Sequence, residues 1–249
     1  MTAPLREPTL PVGWILNLYQ DAGEAGGCFV SSKPRGNGPG IGGPPDPERA
    51  RIEAARRARG MLRRYCTANR LNRLGTLTYA GVGLHNPVEL RKDVADFFRR
   101  LRSAINGDLP YVWVPEWHKT DHGLHVHFAV GRYVPVGVIK TAWGRGFVHI
   151  KLLSDLPVGS GSLGQSRLAA SYLSKYVTKS FDDGRRIPGL HRYDVAEGFK
   201  PRAIGLRGIS EQSVIDEASR LMGSQPIKYW SSRDVEDWKA PPALWLAWA

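Results

Sequence analysis

The spacing of apolar and polar positions from Leu74 onward predicts short strands and amphipathic helices. Apolar residues recur at helical spacing between Leu90 and Ile105, after an Asn86-Pro87 start typical of a helix N-terminus. A second helix is predicted for 165–180. The strands, rich in β-branched and aromatic residues, are Leu74–Tyr79, Tyr111–Trp117, Gly123–Val130 and Phe147–Leu153. The order β-α-β-β-β-α predicts an α+β fold, an antiparallel sheet with helices packed on it.

The segments before and after this pattern divide the chain. From 34 to 47, ten of fourteen residues are Gly or Pro, which predicts a flexible linker. The N-terminal segment 1–33 is weakly patterned, and Trp14–Tyr19 fits either a short strand or a helix. We therefore predict a main domain over 48–205 and a C-terminal extension over 206–249.

Charge points to the class of partner. The 249 residues contain 35 Lys and Arg against 23 Asp and Glu, a net charge of +12, which favours a polyanion, nucleic acid before membrane. Nine arginines and one acid, Glu53, lie between Arg49 and Arg73, in a predicted helix with Asp46 as its N-cap. This helix is either a solvated face or, as we favour, a phosphate-binding surface. Its candidate DNA-binding residues are Arg56, Arg57, Arg63 and Arg64.

Composition also excludes several classes. No apolar run approaches the roughly 20 residues of a membrane span, and the first residues lack the pattern of a signal peptide. Cys28 and Cys66 are too few for a disulfide framework or a cysteine-built zinc site. We expect a cytoplasmic protein with no membrane partner.

A histidine pair on a predicted strand is the first candidate site. His125 and His127, two positions apart, project to the same face, and two imidazoles can hold one divalent metal. If the chain turns around Lys119–His122, Glu116 lies opposite His125 as a third ligand; the alternative is an exposed acid at a strand end. Such a set without thiolate suits Mg²⁺ or Mn²⁺ in a phosphate-handling site.

A rival set would add two more histidines. His118, His122, His125 and His127 fall close enough in sequence to form a zinc cluster. The Thr and Asp-Gly between His118 and His122 favour a turn over the helix that their spacing needs. The HExxH pattern of a zinc protease does not occur.

Two tyrosines and two lysines lie one turn apart on the last predicted helix. Tyr172 and Tyr176 share one face, and Lys175 and Lys179 share an adjacent one. A phenol attacks a phosphodiester poorly unless a metal and a nearby ammonium assist it. The alternative is that both rings belong to the core. Upstream, Gly159–Ser166 lacks the lysine of a phosphate-binding loop, so we read Gly159–Gly164 as a flexible loop and exclude nucleotide hydrolysis.

In order and approximate spacing, TLTY (Thr76–Tyr79), HVH (His125–His127) and YLSKYVTK (Tyr172–Lys179) resemble the three motifs of HUH endonucleases. The tandem YxxKYxxK is similar to that of rolling-circle replication initiators of bacterial plasmids, integrative elements and phages. HRYDVAEGFKP (His191–Pro201) is similar to stretches that follow the tyrosine helix in such initiators. The resemblance covers about half of the chain.

The resemblance implies a ferredoxin/RRM-like fold whose central strand carries the HUH motif and faces the tyrosine helix. It implies metal-dependent nicking of single-stranded or hairpin origin DNA through a 5′-phosphotyrosine, with Mg²⁺ or Mn²⁺ as cofactor. His125, His127 and Glu116 would be the metal ligands. Tyr172 and Tyr176 would be the nucleophiles, assisted by Lys175 and Lys179.

Several points lie outside the resemblance. The chain has no helicase domain, so a host helicase and DNA polymerase are the expected partners. The tryptophans of the C-terminal extension either stack on unpaired bases or seal the domain. The alternatives are a conjugative relaxase, a single-strand transposase, or a non-catalytic DNA-binding regulator whose HVH is structural.

Overall fold

A computed structural model describes residues 12–31, 46–151, 162–182 and 191–249. These residues form two five-stranded antiparallel sheets with five α-helices, which confirms the predicted α+β class. The strands are β1 (Gly13–Tyr19), β2 (Glu24–Val30), β3 (Arg73–Tyr79), β4 (Tyr111–Trp117), β5 (Leu124–Val130), β6 (Gly146–Lys151), β7 (Asp194–Val195), β8 (Ile204–Gly208), β9 (Lys228–Ser231) and β10 (Ala243–Ala247). The helices are α1 (Pro47–Ala68), α2 (Pro87–Ile105), α3 (Val136–Trp143), α4 (Ser162–Asp182) and α5 (Glu211–Met222).

The smaller of two compact units combines Arg202–Ala249 with the described residues 12–31. Its sheet has the order β8-β1-β2-β10-β9, and α5 packs on one face. Strands from the N-terminal segment and the C-terminal extension, which were predicted as separate regions, therefore pair in one sheet. Trp248 is buried in its core and donates from Nε1 to the carbonyl of Ser224, a sealing role for this tryptophan.

The larger unit, Asp46–Pro201, contains a sheet of order β6-β3-β5-β4-β7. The predicted hairpin is present as β4 and β5, and all seven residues of β5 are buried because β5 is the central strand. Helices α2 and α3 cover one face through their apolar stripes. Helices α1 and α4 cover part of the other face, where Leu62 of α1 and Leu173 of α4 lie in the same core cluster.

The helices begin where local chemistry predicts. The side chain of Asn86 accepts hydrogen bonds from the backbone amides of Val88 and Glu89 at the start of α2. The side chain of Asp46 accepts from the amide of Arg49 at the start of α1, so the predicted N-caps are confirmed. Among the described residues, no helix is long and apolar enough to cross a membrane.

Two local predictions need correction or fall outside the described residues. The Gly/Ser loop was predicted to reach Gly164, but α4 already begins at Ser162, since the apolar residues of the helix continue its pattern upstream. Residues 159–161 and the linker 34–45 lie outside the described residues. The sequence pattern also missed α3, whose eight residues are too few for a clear helical period.

A glycine in β3 allows close packing at the centre of the sheet. Gly75 is paired with Phe128, and a Cβ at Gly75 would lie 2.4 Å from the Phe128 ring. That ring is fixed by edge contacts with Phe97 and Phe98. We expect Gly75→Ala to lower the free energy of unfolding by about 1–3 kcal/mol through overpacking, measured by urea denaturation.

The matched control is Gly137→Ala on α3. A Cβ at Gly137 would meet nothing within 4 Å, so this variant should leave stability unchanged or raise it by up to about 1 kcal/mol. Equal unfolding midpoints for the two variants would contradict the packing explanation for Gly75.

Candidate functional site

The β4–β5 hairpin brings the three predicted metal ligands together. Glu116 is paired with His125, and His127 follows two positions later on the same face. Glu116 Oε2 lies 3.1 Å from His125 Nε2 and 2.9 Å from His127 Nε2, and the two imidazole nitrogens are 3.1 Å apart. Within the described part of the chain, these three residues alone form a group of this kind.

A glycine sets the register of this hairpin. Gly123 has a φ of +82°, and a Cβ there would lie 2.2 Å from the carbonyl oxygen of Leu84. The amide of Leu124 donates to that same carbonyl, which fixes the start of β5. Because a shift of one residue would reverse every side chain on the strand, this contact helps to keep both histidines on the site face.

Burial and charge tune the three groups. His125 and His127 are only 8% and 6% exposed. Burial raises the pKa of Glu116, but hydrogen bonds from His125, His127 and Lys179 outweigh it and hold that pKa well below its usual value. Burial lowers the pKa of His127 more than Glu116 raises it, so its neutral, ligating form is favoured.

The spacing of the three donor atoms fits a divalent cation. Octahedral Mg²⁺ with bonds of about 2.1 Å places neighbouring ligand atoms about 3.0 Å apart. Tetrahedral Zn²⁺ with bonds of about 2.0–2.1 Å separates them by about 3.3–3.4 Å. The three observed distances, from 2.9 to 3.1 Å, match one face of an octahedron. The residues present therefore fit Mg²⁺ or Mn²⁺.

Contacts around the three groups orient them. Thr76 Oγ1 lies 3.0 Å from His127 Nδ1, so with Nε2 directed at the metal position, Nδ1 carries the proton and donates to Thr76. Glu116 Oε1 accepts from Lys179, which ties β4 to α4. His125 Nδ1 is buried and has no hydrogen-bond partner among the described residues. The sequence pattern includes Thr76 only as part of a motif and gives it no role.

Both candidate nucleophiles reach the histidine pair from α4. The ring of Tyr176 stacks on His127, with centroids 3.7 Å apart and planes within 18°. The Tyr176 hydroxyl donates to the Tyr172 hydroxyl at 2.7 Å. Burial and the contact with Tyr172 raise the pKa of Tyr176. Both rings are half-buried against the core under α1 and α4, so they are neither fully core nor freely exposed.

The two lysines of the motif differ in position. Lys179 contacts Glu116, whereas Lys175 is exposed and makes no contact with the three metal-ligand candidates among the described residues. A third cation was missed by the sequence pattern. Lys151, at the end of β6, places its Nζ 4.3 Å from the centre of the Tyr172 ring.

The rival zinc cluster is not assembled. His118 Nδ1 lies 2.7 Å from the Thr120 hydroxyl, and His122 Nε2 lies 2.8 Å from the carbonyl oxygen of Tyr79. Neither joins the metal-ligand group found among the described residues. The turn favoured by the residues between them accounts for this separation.

Helix α1 places its arginines beside the tyrosine helix. Arg59 donates to the Thr178 hydroxyl of α4 at 3.3 Å. Of the four candidate DNA-binding residues, Arg56 and Arg57 are exposed, while Arg63 and Arg64 are half-buried. Arg57 also lies 3.6 Å from Glu53. The exposed positions leave this helix able to meet a phosphate backbone.

Comparison with known proteins gives one match. Residues 72–181, somewhat less than half of the chain, match a family of replication-associated proteins that is described by its ORF2 members. The matched region runs through β3, the β4–β5 hairpin and nearly all of α4, and so contains every candidate metal ligand and tyrosine. No curated protein and no solved structure gave a significant match. The match supports a replication initiator.

Proposed function

We propose that this chain is a metal-dependent single-stranded DNA endonuclease and strand transferase that nicks a replication origin to initiate rolling-circle replication. One observation carries the proposal. A three-residue metal-ligand set and two tyrosine hydroxyls meet on one face of the sheet, with Tyr176 stacked on His127. The match to the replication-associated family supports the biological setting.

The proposed reaction is a transesterification. A tyrosine oxygen attacks the scissile phosphorus and loses its proton; the bond from phosphorus to the 3′ oxygen breaks, and that oxygen takes up a proton. The products are a 5′-phosphotyrosine and a free 3′-hydroxyl for a host DNA polymerase. The same exchange in reverse, with another 3′-hydroxyl as nucleophile, closes the product strand. A host helicase would separate the strands.

The side chains divide the work. Glu116, His125 and His127 would hold a divalent cation, which when bound polarises the phosphate and fixes its geometry. Thr76 keeps His127 in its ligating tautomer. Lys179 and the exposed Lys175 would offset charge that develops on the phosphate oxygens. Stacking on His127 holds Tyr176 in a fixed orientation, and Tyr176 in turn contacts the Tyr172 hydroxyl.

Binding of the DNA backbone is assigned to the arginines of α1. Arg56, Arg57, Arg63 and Arg64 would contact phosphates without reading bases, so binding through this helix should weaken steeply with salt. The proximity of α1 to α4, through Arg59 and Thr178, supports a path that leads the strand to the tyrosines.

Other settings use the same chemistry. A conjugative relaxase or a single-strand transposase would differ in the architecture of its DNA, and the replication-associated match favours the initiator. A non-catalytic DNA-binding regulator would leave no covalent bond to DNA.

The test is covalent capture. Purified protein is mixed with single-stranded hairpin DNAs, including the origin-bearing strand of its parent element, with Mn²⁺ or with chelator. We expect a protein band carrying DNA on a denaturing gel in Mn²⁺ only. No band on the parent strand would favour the regulator and contradict the proposal.

A further inference from the structure

An exposed row of side chains lies on the edge strand β6. Phe147, His149 and Lys151 are all exposed, and Phe147 is 70% exposed. The residues between them, Val148 and Ile150, pack into the core beneath α2 and α3. Because alternate residues of a strand face opposite sides, the row must point to the other face of the sheet, the face that carries the metal-ligand set.

The pairing of strands makes the row continuous with the site. Thr78 is paired with Phe147 on one side and His125 on the other. Thr76 is paired in the same way with His149 and His127. Two strand spacings of about 4.8 Å separate the row from the histidine pair. At the end of the row, Lys151 lies over the ring of Tyr172.

The chemistry of the row matches one ligand class. An aromatic ring and an imidazole offer flat surfaces at a spacing of about 6.8 Å along the strand, and an ammonium follows them. Single-stranded nucleic acid is held in this way elsewhere, by bases stacked on flat side chains and phosphates paired with cations. A phenylalanine left so exposed beside a phosphate-handling site gains contact area when a base covers it.

We propose that the row is a subsite for the unpaired bases of the DNA strand that flank the scissile phosphate. This inference rests on the proposed function and adds to it the side chains that hold the bases. Phe147 and His149 stack on bases, and Lys151 contacts the phosphate that leads toward Tyr172. The row is thus a positioning surface separate from the groups that carry out the reaction.

The test measures binding alone, in chelator, with fluorescently labelled dT15 and with a probe of equal length whose central positions are abasic. We expect Phe147→Ala to weaken dT15 binding about tenfold, within the range for loss of one stacked base. Phe147→Trp should retain or strengthen it. The abasic probe should bind the wild-type chain and Phe147→Ala alike, because the stacked base is missing from both complexes.

The matched control is Tyr133→Ala. Tyr133 is also aromatic and 70% exposed, but it lines a cavity of about 200 Å³ with Phe128 and Ile150 on the opposite face of the sheet. This variant should bind dT15 like the wild type. An unchanged Phe147→Ala, an equal loss in Tyr133→Ala, or an equal loss on the abasic probe would overturn the subsite.

Failure of this inference is distinguishable from failure of the proposed function. Covalent adducts in Mn²⁺ together with an unchanged Phe147→Ala would refute the subsite and retain the endonuclease. A specific binding loss in Phe147→Ala without any adduct on the parent strand would retain the single-strand subsite and refute the endonuclease.

Discussion

Replacing Tyr172 and Tyr176 together by phenylalanine is expected to abolish the covalent protein–DNA adduct, roughly a thousandfold or more, while DNA binding is retained. The change removes only the two hydroxyls, which are the oxygens that would attack the phosphate. Both rings remain, so the stacking of residue 176 on His127 and the contacts with the core are kept. Adducts are measured on denaturing gels and binding by fluorescence anisotropy in chelator.

Single variants and a control complete this experiment. Tyr172→Phe and Tyr176→Phe, measured separately, report how the two tyrosines share the first attack. Tyr193→Phe is the matched control, because Tyr193 packs against the same core cluster without a place among the site residues. Adducts that survive the double substitution would refute the assignment of the nucleophiles.

The second large effect is expected from the metal-ligand set. Glu116→Gln or His125→Ala should weaken Mn²⁺ binding by about a hundredfold or more, beyond the 10–100-fold typical of residues that only support a ligand. Each change removes one of three donor atoms that now lie about 3 Å from one another. Free Mn²⁺ is followed by electron paramagnetic resonance, and adduct formation should fall in parallel.

The neighbouring histidines provide the controls for this effect. His118 and His122 are held by the Thr120 hydroxyl and the Tyr79 carbonyl, so their alanine variants should bind Mn²⁺ like the wild type. If His118→Ala or His122→Ala lowers the affinity as much as His125→Ala does, the larger histidine cluster replaces the three-residue set. Wild-type Mn²⁺ affinity in Glu116→Gln would remove Glu116 from the site.

Much of the larger unit could be predicted because its signals are local. The period-two pattern and the turn residues predict the β4–β5 hairpin, and with it the pairing of Glu116 and His125. Asn86 and Asp46 predict helix starts from chemistry within a few residues. The roles of the site residues remain predictions, since the geometry brings them together without testing what they do.

What could not be predicted depends on contacts between distant segments. Nothing in the local pattern of β6 indicates that it lies beside β3, so the row that begins at Phe147 was read only as part of a strand. The bond between Thr76 and His127 and the position of Lys151 over Tyr172 depend on the same strand order. Periodicity predicts which residues share a face of one strand, but the identity of the neighbouring strand is a non-local property.

The strand pairing of the smaller unit has a consequence for the order of events during synthesis. Cys28 of β2 pairs with Ala243 of β10, so the early strands leave the ribosome long before their partners exist. The unit Asp46–Pro201 is continuous in sequence and can complete its sheet in the meantime. Closing so long an intervening segment costs entropy and delays non-local pairing. The metal-ligand set is therefore assembled first, and the joining of the two flanking segments is the late step of folding.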